Sequence, residues 1–268
     1  MNKSHDVSFA LVFNKLFMSK AKRTLLELRK IGSWKGHVLI IISDNLSEDE
    51  VKKYLNDSSI SVFSYPMIDR TEAIETIKAR PFLNSDGREI NKTFQYHKLY
   101  LFHPKTLNMA KKIVYIDCGM SFFNHLQPLL NIKLGKYLYA NSDSFPYYER
   151  MLRGQFESRY YEEEMAKMEK DFELDIDYFQ ATFMIYKTQS IPIDAFDIML
   201  SLSKKFPNSK TNEQGIMNLY FTSKLKIWKQ LPLMSGDKYT YDFYDRGKAF
   251  PHHYIMLKYH RKSTWFNV

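Results

Sequence analysis

Ile113-Val114-Tyr115-Ile116 is an apolar run of strand length, and it stops on Asp117-Cys118-Gly119-Met120. A buried strand ending in an aspartate delivers a carboxylate to an exposed edge. In an open α/β sheet that edge is where ligands bind. The competing reading is an aspartate that closes a turn or caps an element. Further chemistry-bearing residues lie at long range: Lys98, Asp143, Gln180, the pair Glu213-Gln214, and His252-His253 ahead of Lys258. Carboxylates of this kind suit a hard divalent cation. Cys118, the single cysteine, is a thiol nucleophile on paper but lacks an ordered His/Asn partner. Glu162-Glu163-Glu164 reads as a solvated helix face rather than a metal cluster.

The elements that must position these residues follow an alternating pattern. Val7–Phe13 reads as a buried strand and Ser19–Lys30 as a helix with Ala21, Leu25 and Leu28 on one face. Val38–Ile42 reads as a second buried strand. Ser47 and Glu50 form a capping box opening a helix to about Asn56, and Ile60–Ser64 reads as a third strand. Strand, helix, strand, helix, strand predicts a parallel sheet with right-handed crossovers. Residues 66–91 read as an irregular excursion, Phe94–Phe102 as a helix, Lys112–Ile116 and Leu138–Ala140 as strands. Tyr147–Asp177 is charge-dense and reads as helical or mobile. Phe179–Tyr186 reads as a strand, Asp194–Phe206 and Glu213–Phe221 as helices. The last thirty residues are aromatic and basic with little periodicity. No repeat or linker divides the chain, so residues 1–268 are expected to form a single domain.

The composition is that of an ordinary globular protein, 44% hydrophobic and 26% charged over 268 residues. One cysteine excludes an internal disulfide framework and suits a reducing compartment. The run Val7–Phe13 is too short to span a bilayer and has no cleavage site, so the expectation is a cytoplasmic protein without a membrane span. The formal charge of +9 suggests an anionic partner. Residues 1–36 carry eight Lys/Arg against two acids, and residues 246–268 carry five against none. No zinc spacing, RNP motif or basic zipper accompanies that charge, which disfavours nucleic acid. GxGxxG and GxxxxGK[ST] are both absent, so neither a dinucleotide fingerprint nor a P-loop explains the sheet.

Taken in order, five pieces resemble glycosyltransferase family 8, the glycogenin and lipopolysaccharide galactosyltransferase group. They are the Lys98-Leu99 segment, the strand ending at Asp117, Phe179-Gln180-Ala181, Glu213-Gln214-(x)3-Asn218, and a histidine before Lys258 and Trp265. The resemblance runs from about residue 7 to residue 265. It implies an α/β GT-A-type fold with a mostly parallel central sheet flanked by helices. It also implies a nucleoside-diphosphate sugar donor, usually UDP-linked, and transfer with retention to a glycan, protein or small-molecule acceptor.

In that family two aspartates and a histidine bind a divalent metal, Mn2+ or Mg2+, which offsets charge on the leaving diphosphate. Carried over by position, Asp117 is the first aspartate, and Cys118 and Gly119 complete the triplet. His252 keeps the six-residue step to Lys258, while His253 fits the family's His-aromatic pair; both stay open. Lys98 and Lys258 match phosphate contacts. Gln214, with Glu213, stands near the reacting face of the sugar, and Gln180 and Asp143 stand at its hydroxyls. Phe13 and Asn14 end the first strand where base and ribose would dock.

Gly119 departs from the pattern, because it stands where the second aspartate belongs. A lone carboxylate and an imidazole make a poor site for a hard cation. Three outcomes are compatible with this. Asp117, the histidine, the diphosphate and water hold the metal; basic residues such as Lys15, Lys20, Arg23, Lys258 and Arg261 take its electrostatic place; or the protein binds donor without turning it over. The alternative class is a non-catalytic nucleotide-sugar or nucleic-acid binding module. A sugar nucleotidyltransferase ranks third, because Asn14–Ser19 has no glycine for a triphosphate loop.

Overall fold

The computed structural model describes residues 5–80, 87–145, 147–244 and 251–259. The N-terminal half follows the alternation of the sequence. β1 (His5–Val12), β2 (Val38–Ser43) and β3 (Ile60–Tyr65) are joined by α1 (Met18–Lys30) and α2 (Glu48–Leu55). All six residues of β2 are buried, as expected for a parallel strand covered on both faces. In α1 the buried residues Ala21, Thr24, Leu25 and Leu28 recur at helical spacing and form one apolar stripe. Ser47 Oγ accepts the Glu50 N–H at 3.5 Å, and Asn56 closes α2 in the left-handed region at φ 50°. It is Glu48, rather than Glu50, that makes the longer reach, accepting the Ser64 N–H at 3.2 Å.

α3 (Thr71–Lys78) and α4 (Arg88–Asn91) precede a run of 3-10 turns at Thr93–Phe102, where a helix was expected. α5 (Pro104–Leu107) leads into β4 (Ala110–Ile116), and β5 (Ser121–Phe122), α6 (Gln127–Leu130) and β6 (Leu138–Ala140) follow. The charge-dense segment contains α7 (Glu162–Asp171). Its three leading glutamates face the positive end of the helix dipole. β7 is Phe183–Lys187, so residues 179–182 are irregular rather than the start of a strand. α8 (Ala195–Lys205) and α9 (Glu213–Asn218) come next, and α9 widens into a π-helical turn at Leu219–Lys224.

The main sheet has the order β3-β2-β1-β4-β7-β6-β8, with β8 at Trp228–Gln230. β1 to β4 are mutually parallel, and β7 is antiparallel to both β4 and β6. Alternate residues of each strand enter opposite cores: Ala10, Leu39, Ile41, Ile113 and Tyr115 on one face, Phe9, Leu11, Ile40, Val114 and Ile116 on the other. The C-terminal segment, in which the sequence shows little periodicity, contains strands. β9 (Met234–Ser235), β10 (Lys238–Tyr244) and β11 (Tyr254–Tyr259) form a second sheet with β5, in the order β5-β11-β10-β9. Arg261 and Trp265 lie outside the described residues. No helix among the described residues is long and apolar enough to cross a membrane.

Gly215 shows how tightly α9 is seated. A Cβ there would lie 2.5 Å from Ser209 Oγ and 3.1 Å from Phe156 Cζ. Gly215→Ala is expected to destabilise the protein by about 1–3 kcal/mol through overpacking, read from the urea midpoint.

Candidate active site

The sheet order places a crevice. β1 pairs with β2 on one side and with β4 on the other, so the chain's progression across the sheet reverses between β1 and β4. Ligands of open α/β sheets bind outside the carboxyl ends at such a switch point. Phe13-Asn14 follows β1 and Asp117 follows β4.

Asp117 is held from several sides. Its backbone N–H donates to Thr182 O at 2.9 Å. Tyr115 OH donates to Oδ1 in a short hydrogen bond. Lys98 Nζ lies 3.1 Å from Oδ1 and 2.8 Å from Glu213 Oε1. Lys258 Nζ donates to Oδ2 at 3.1 Å and to Cys118 O at 2.8 Å. Two carboxylates and two ammonium groups thus form one cluster. Glu213 lies deepest, at 3% side-chain exposure, and Asp117 keeps 17%.

The protonation states follow from burial and pairing. Burial raises the Asp117 carboxyl, but the Lys258 and Lys98 ammoniums and the Tyr115 hydroxyl bring it below its ordinary value. Burial would lower Lys98, yet Asp117 and Glu213 outweigh it and hold the ammonium above its usual range. For Glu213 burial wins over Lys98, and its carboxyl is raised. Burial, reinforced by Asp117, pushes the Cys118 thiol up to about 12. Cys118 is buried with its Sγ donating to Val12 O at 3.7 Å, surroundings that disfavour a thiolate nucleophile.

The triplet's last residue has a structural explanation. Met120 N–H donates to Asp117 O at 3.2 Å, closing a turn whose third residue, Gly119, has φ +93°. That is the type II pattern, which favours glycine at this position. Gly119 N–H is fixed by Thr24 Oγ1 at 2.9 Å. A Cβ at Gly119 would point toward Lys258 Nζ, 3.8 Å away.

A second polar cluster borders the first. Asp143 accepts from Tyr178 OH at 2.8 Å and from Gln180 Nε2 at 3.0 Å. Gln180 Oε1 in turn accepts from Thr182 Oγ1 at 3.0 Å and Tyr241 OH at 2.9 Å. Gln214 accepts the Ala181 N–H at 3.0 Å and donates to Gln155 Oε1 at 3.0 Å. Gln155 also donates to Tyr178 OH at 2.7 Å. The irregular segment 180–182 therefore runs between the clusters and touches both. Tyr178, Tyr241, Thr182 and Gln155 were not singled out in the sequence; Gln155 and Tyr241 sit on segments whose contact partners only the tertiary fold reveals. Glu213 and Gln214 follow Asn212, a fully buried residue at φ 54° and ψ −121°. Its amide donates to Gln95 Oε1 at 2.6 Å, holding the backbone in a sparsely populated conformation.

The structure places the remaining expected residues as follows. Phe13 is 1% exposed and packed in the apolar core, so its ring is not placed to stack on a base. Asn14 Oδ1 is buried with no hydrogen-bond partner among the described residues. His252 and His253 are exposed and precede β11, where His252 O accepts from Asn124 Nδ2 at 2.8 Å. Five steps of largely extended chain lead from His253 to Lys258, roughly 16 Å at strand rise. What β11 delivers to Asp117 is Lys258, so the structure does not bring Asp117, His252 and His253 together.

The donor set does not fit the divalent metal. Each Asp117 oxygen already faces an ammonium, Gly119 supplies no ligand, and no group of three His, Cys, Asp or Glu among the described residues could hold an ion. A dication about 4 Å from one ammonium would be repelled by about 8 kcal/mol at an effective dielectric of 20, twice the unit-charge figure.

A family model described as glycosyl transferase family 8 matches residues 7–254. The chain belongs to this family. Its fold is of the GT-A type shared with solved glycosyltransferases. A galactosyltransferase, LgtC, in complex with donor and acceptor sugar analogues aligns with TM-score 0.61 at 14% identity, over 96% of this chain and 91% of that one. The glycosyltransferase GlyE of Streptococcus pneumoniae TIGR4 aligns with TM-score 0.52 at 12% identity, over 85% of this chain. The match spans only 45% of the length of GlyE. Core-mannan synthase A from Aspergillus fumigatus, in an Mn/GDP form, aligns with TM-score 0.50 at 10% identity, over 84% of this chain and 72% of that one. No curated protein matches the chain by sequence.

Lys98→Met removes the ammonium that Glu213 and Asp117 share, leaves Asp117 with Lys258 and the buried Glu213 without its ion pair, and is expected to cost about 3–5 kcal/mol of stability in chemical denaturation. Glu213 carries a raised carboxyl, so the native state holds its proton to higher pH than the unfolded chain does. Its contribution is complete below the ordinary glutamate range, about 4.5, and is lost as pH rises through the raised value. Glu213→Gln is expected to remove that downward slope of stability against pH, measured by urea titrations between pH 4 and 7.

Proposed function

We propose that the chain transfers a sugar from a nucleoside-diphosphate donor, UDP-linked as in the family it belongs to, to an acceptor hydroxyl. The observation that carries this reading is the meeting of the Asp117–Lys98–Glu213–Lys258 cluster with the Asp143–Gln180–Gln214 cluster at the switch point of the sheet. One cluster fixes two ammonium groups, each paired with a carboxylate, where a diphosphate would leave. The other concentrates amides and a carboxylate suited to sugar hydroxyls.

In the proposed step the bond from the anomeric carbon to the diphosphate oxygen breaks, and its electron pair stays on the diphosphate. The acceptor oxygen bonds the same carbon from the same face, which gives retention, and its proton passes to the departing phosphate oxygen. Preorganised positive charge where negative charge develops is the largest lever a site of this kind has. Gln214 and Asp143 hold donor hydroxyls in this scheme, and Gln180 fixes Asp143.

A second reading is a nucleotide-sugar binding module without turnover. It is favoured by Gln214, whose amide is already engaged at both ends. Incubation with a panel of UDP-hexoses, following UDP release, separates the two. The enzyme reading expects slow release that falls at least 100-fold in Asp117→Ala and about 10–100-fold in Gln214→Ala. Saturable UDP-hexose binding with no release from any donor would favour the binding module. Affinity for an oligonucleotide that falls steeply with salt, with no uridine selectivity, would point to nucleic acid instead.

A further inference from the structure

We infer that the donor diphosphate is met by tethered ammonium groups, chiefly Lys258, in place of a divalent cation, so that donor binding and transfer proceed without metal. The inference rests on the nucleotide-sugar reading above and specifies how its site is charged.

The first observation is the donor set. Of the positions a cation would use, Gly119 has no side chain, His252 and His253 lie at the other end of β11, and both oxygens of Asp117 are engaged by lysines. The second is charge parity. Two carboxylates and one dication are neutral together. Asp117, Glu213, Lys98 and Lys258 reach the same neutral total with two ammonium groups. The third is position. Lys258 Nζ is 3.8 Å from where a Gly119 Cβ would project, so the ammonium occupies the flank of the turn from which a second carboxylate would have served a metal. The fourth is fixation. Lys258 donates to Asp117 Oδ2 and to Cys118 O, and its side chain is 10% exposed. Its charge is therefore placed before donor arrives, as electrostatic stabilisation of a leaving group requires. β11 carries it there because Leu257 pairs with Ser121 across the second sheet, which sets the next residue beside the Asp117–Met120 turn.

The chemistry needs no further reactant. The electron pair of the breaking bond stays on the diphosphate, and the ammonium groups donate hydrogen bonds to its oxygens while remaining protonated.

The test is calorimetry of the full chain with UDP, GDP, ADP and CDP, and with uridine, each in EDTA and again in millimolar Mn2+. UDP-hexose turnover is followed in the same two buffers. Nucleoside-diphosphate affinity and turnover are expected to agree within about twofold between them. Lys258→Ala is expected to weaken diphosphate binding about 10–100-fold, the size of a charge-assisted hydrogen bond, while uridine binding is unchanged. Lys258→Arg is expected to restore most of the loss. Because a misfolded variant would lose uridine as well, the ratio of diphosphate to nucleoside affinity isolates the charge. Lys111→Ala, which removes an exposed lysine paired with Asp6, is expected to change nothing. Binding that appears only with Mn2+, or turnover abolished by EDTA and restored by Mn2+, would overturn the inference and leave the glycosyltransferase reading standing. Absence of nucleoside-diphosphate binding in both buffers would overturn both.

Discussion

Four charges brought together at low exposure constrain this molecule more than any apolar contact does. Taking an ion out of water costs several kcal/mol, and a buried pair regains that only when geometry and hydrogen bonds are nearly complete. Here Asp117 comes from the end of β4, Lys98 from the 3-10 run, Glu213 from the start of α9 and Lys258 from β11. Each belongs to a different stretch of chain, so the cluster closes only when the main sheet, its flanking turns and the second sheet are all in register. Hydrophobic residues of similar volume could have packed the same space at no loss of stability. The presence of charge at the switch point is therefore better explained by what the site must hold than by what the fold needs.

The second sheet gains a purpose from the same constraint. A parallel sheet offers its carboxyl edge to a ligand but cannot bring a side chain down onto it from outside. β10 and β11 do this. Tyr241 on β10 donates to Gln180 in the Asp143 cluster, and Lys258 on β11 reaches Asp117. Thr182 links the two, with its carbonyl on Asp117 N–H and its hydroxyl bonded to Gln180 and Tyr241. That irregular residues carry this work is physically reasonable, because a regular strand at 179–182 would spend these backbone groups on ladder hydrogen bonds.

The alternation that builds β1 to β4 was legible because buried parallel strands leave dense β-branched runs and the intervening helices leave apolar stripes. Asp117 was legible for the same reason, since a strand that stops on a carboxylate advertises its own end. The 3-10 run at Thr93–Phe102 was not, because its side chains are buried on nearly all sides and no period distinguishes it from a core helix. Nor was the second sheet. β5, β9 and β11 are short or paired at long range, and strand propensity depends on partners a sequence does not display. The histidines misled for a related reason. They were placed by resemblance to the family's histidine ahead of the lysine, and an extended β11 carries Lys258 about 16 Å of chain beyond His253. Asn212 left only a faint trace, since asparagine tolerates positive φ in turns without announcing one.

The turn at Asp117–Met120 couples the backbone to the choice of counter-charge. A residue at φ +93° with its N–H tied to Thr24 strongly favours glycine, and an aspartate there would strain the backbone while facing the Lys258 ammonium. An acid at position 119 would therefore need a different turn, and in this one it would form another ion pair with Lys258. The tethered ammonium and the type II turn support each other. The chain thus keeps the family's fold, its first aspartate and the lysine on β11, and departs from the pattern at Gly119, where the turn and the Lys258 ammonium meet.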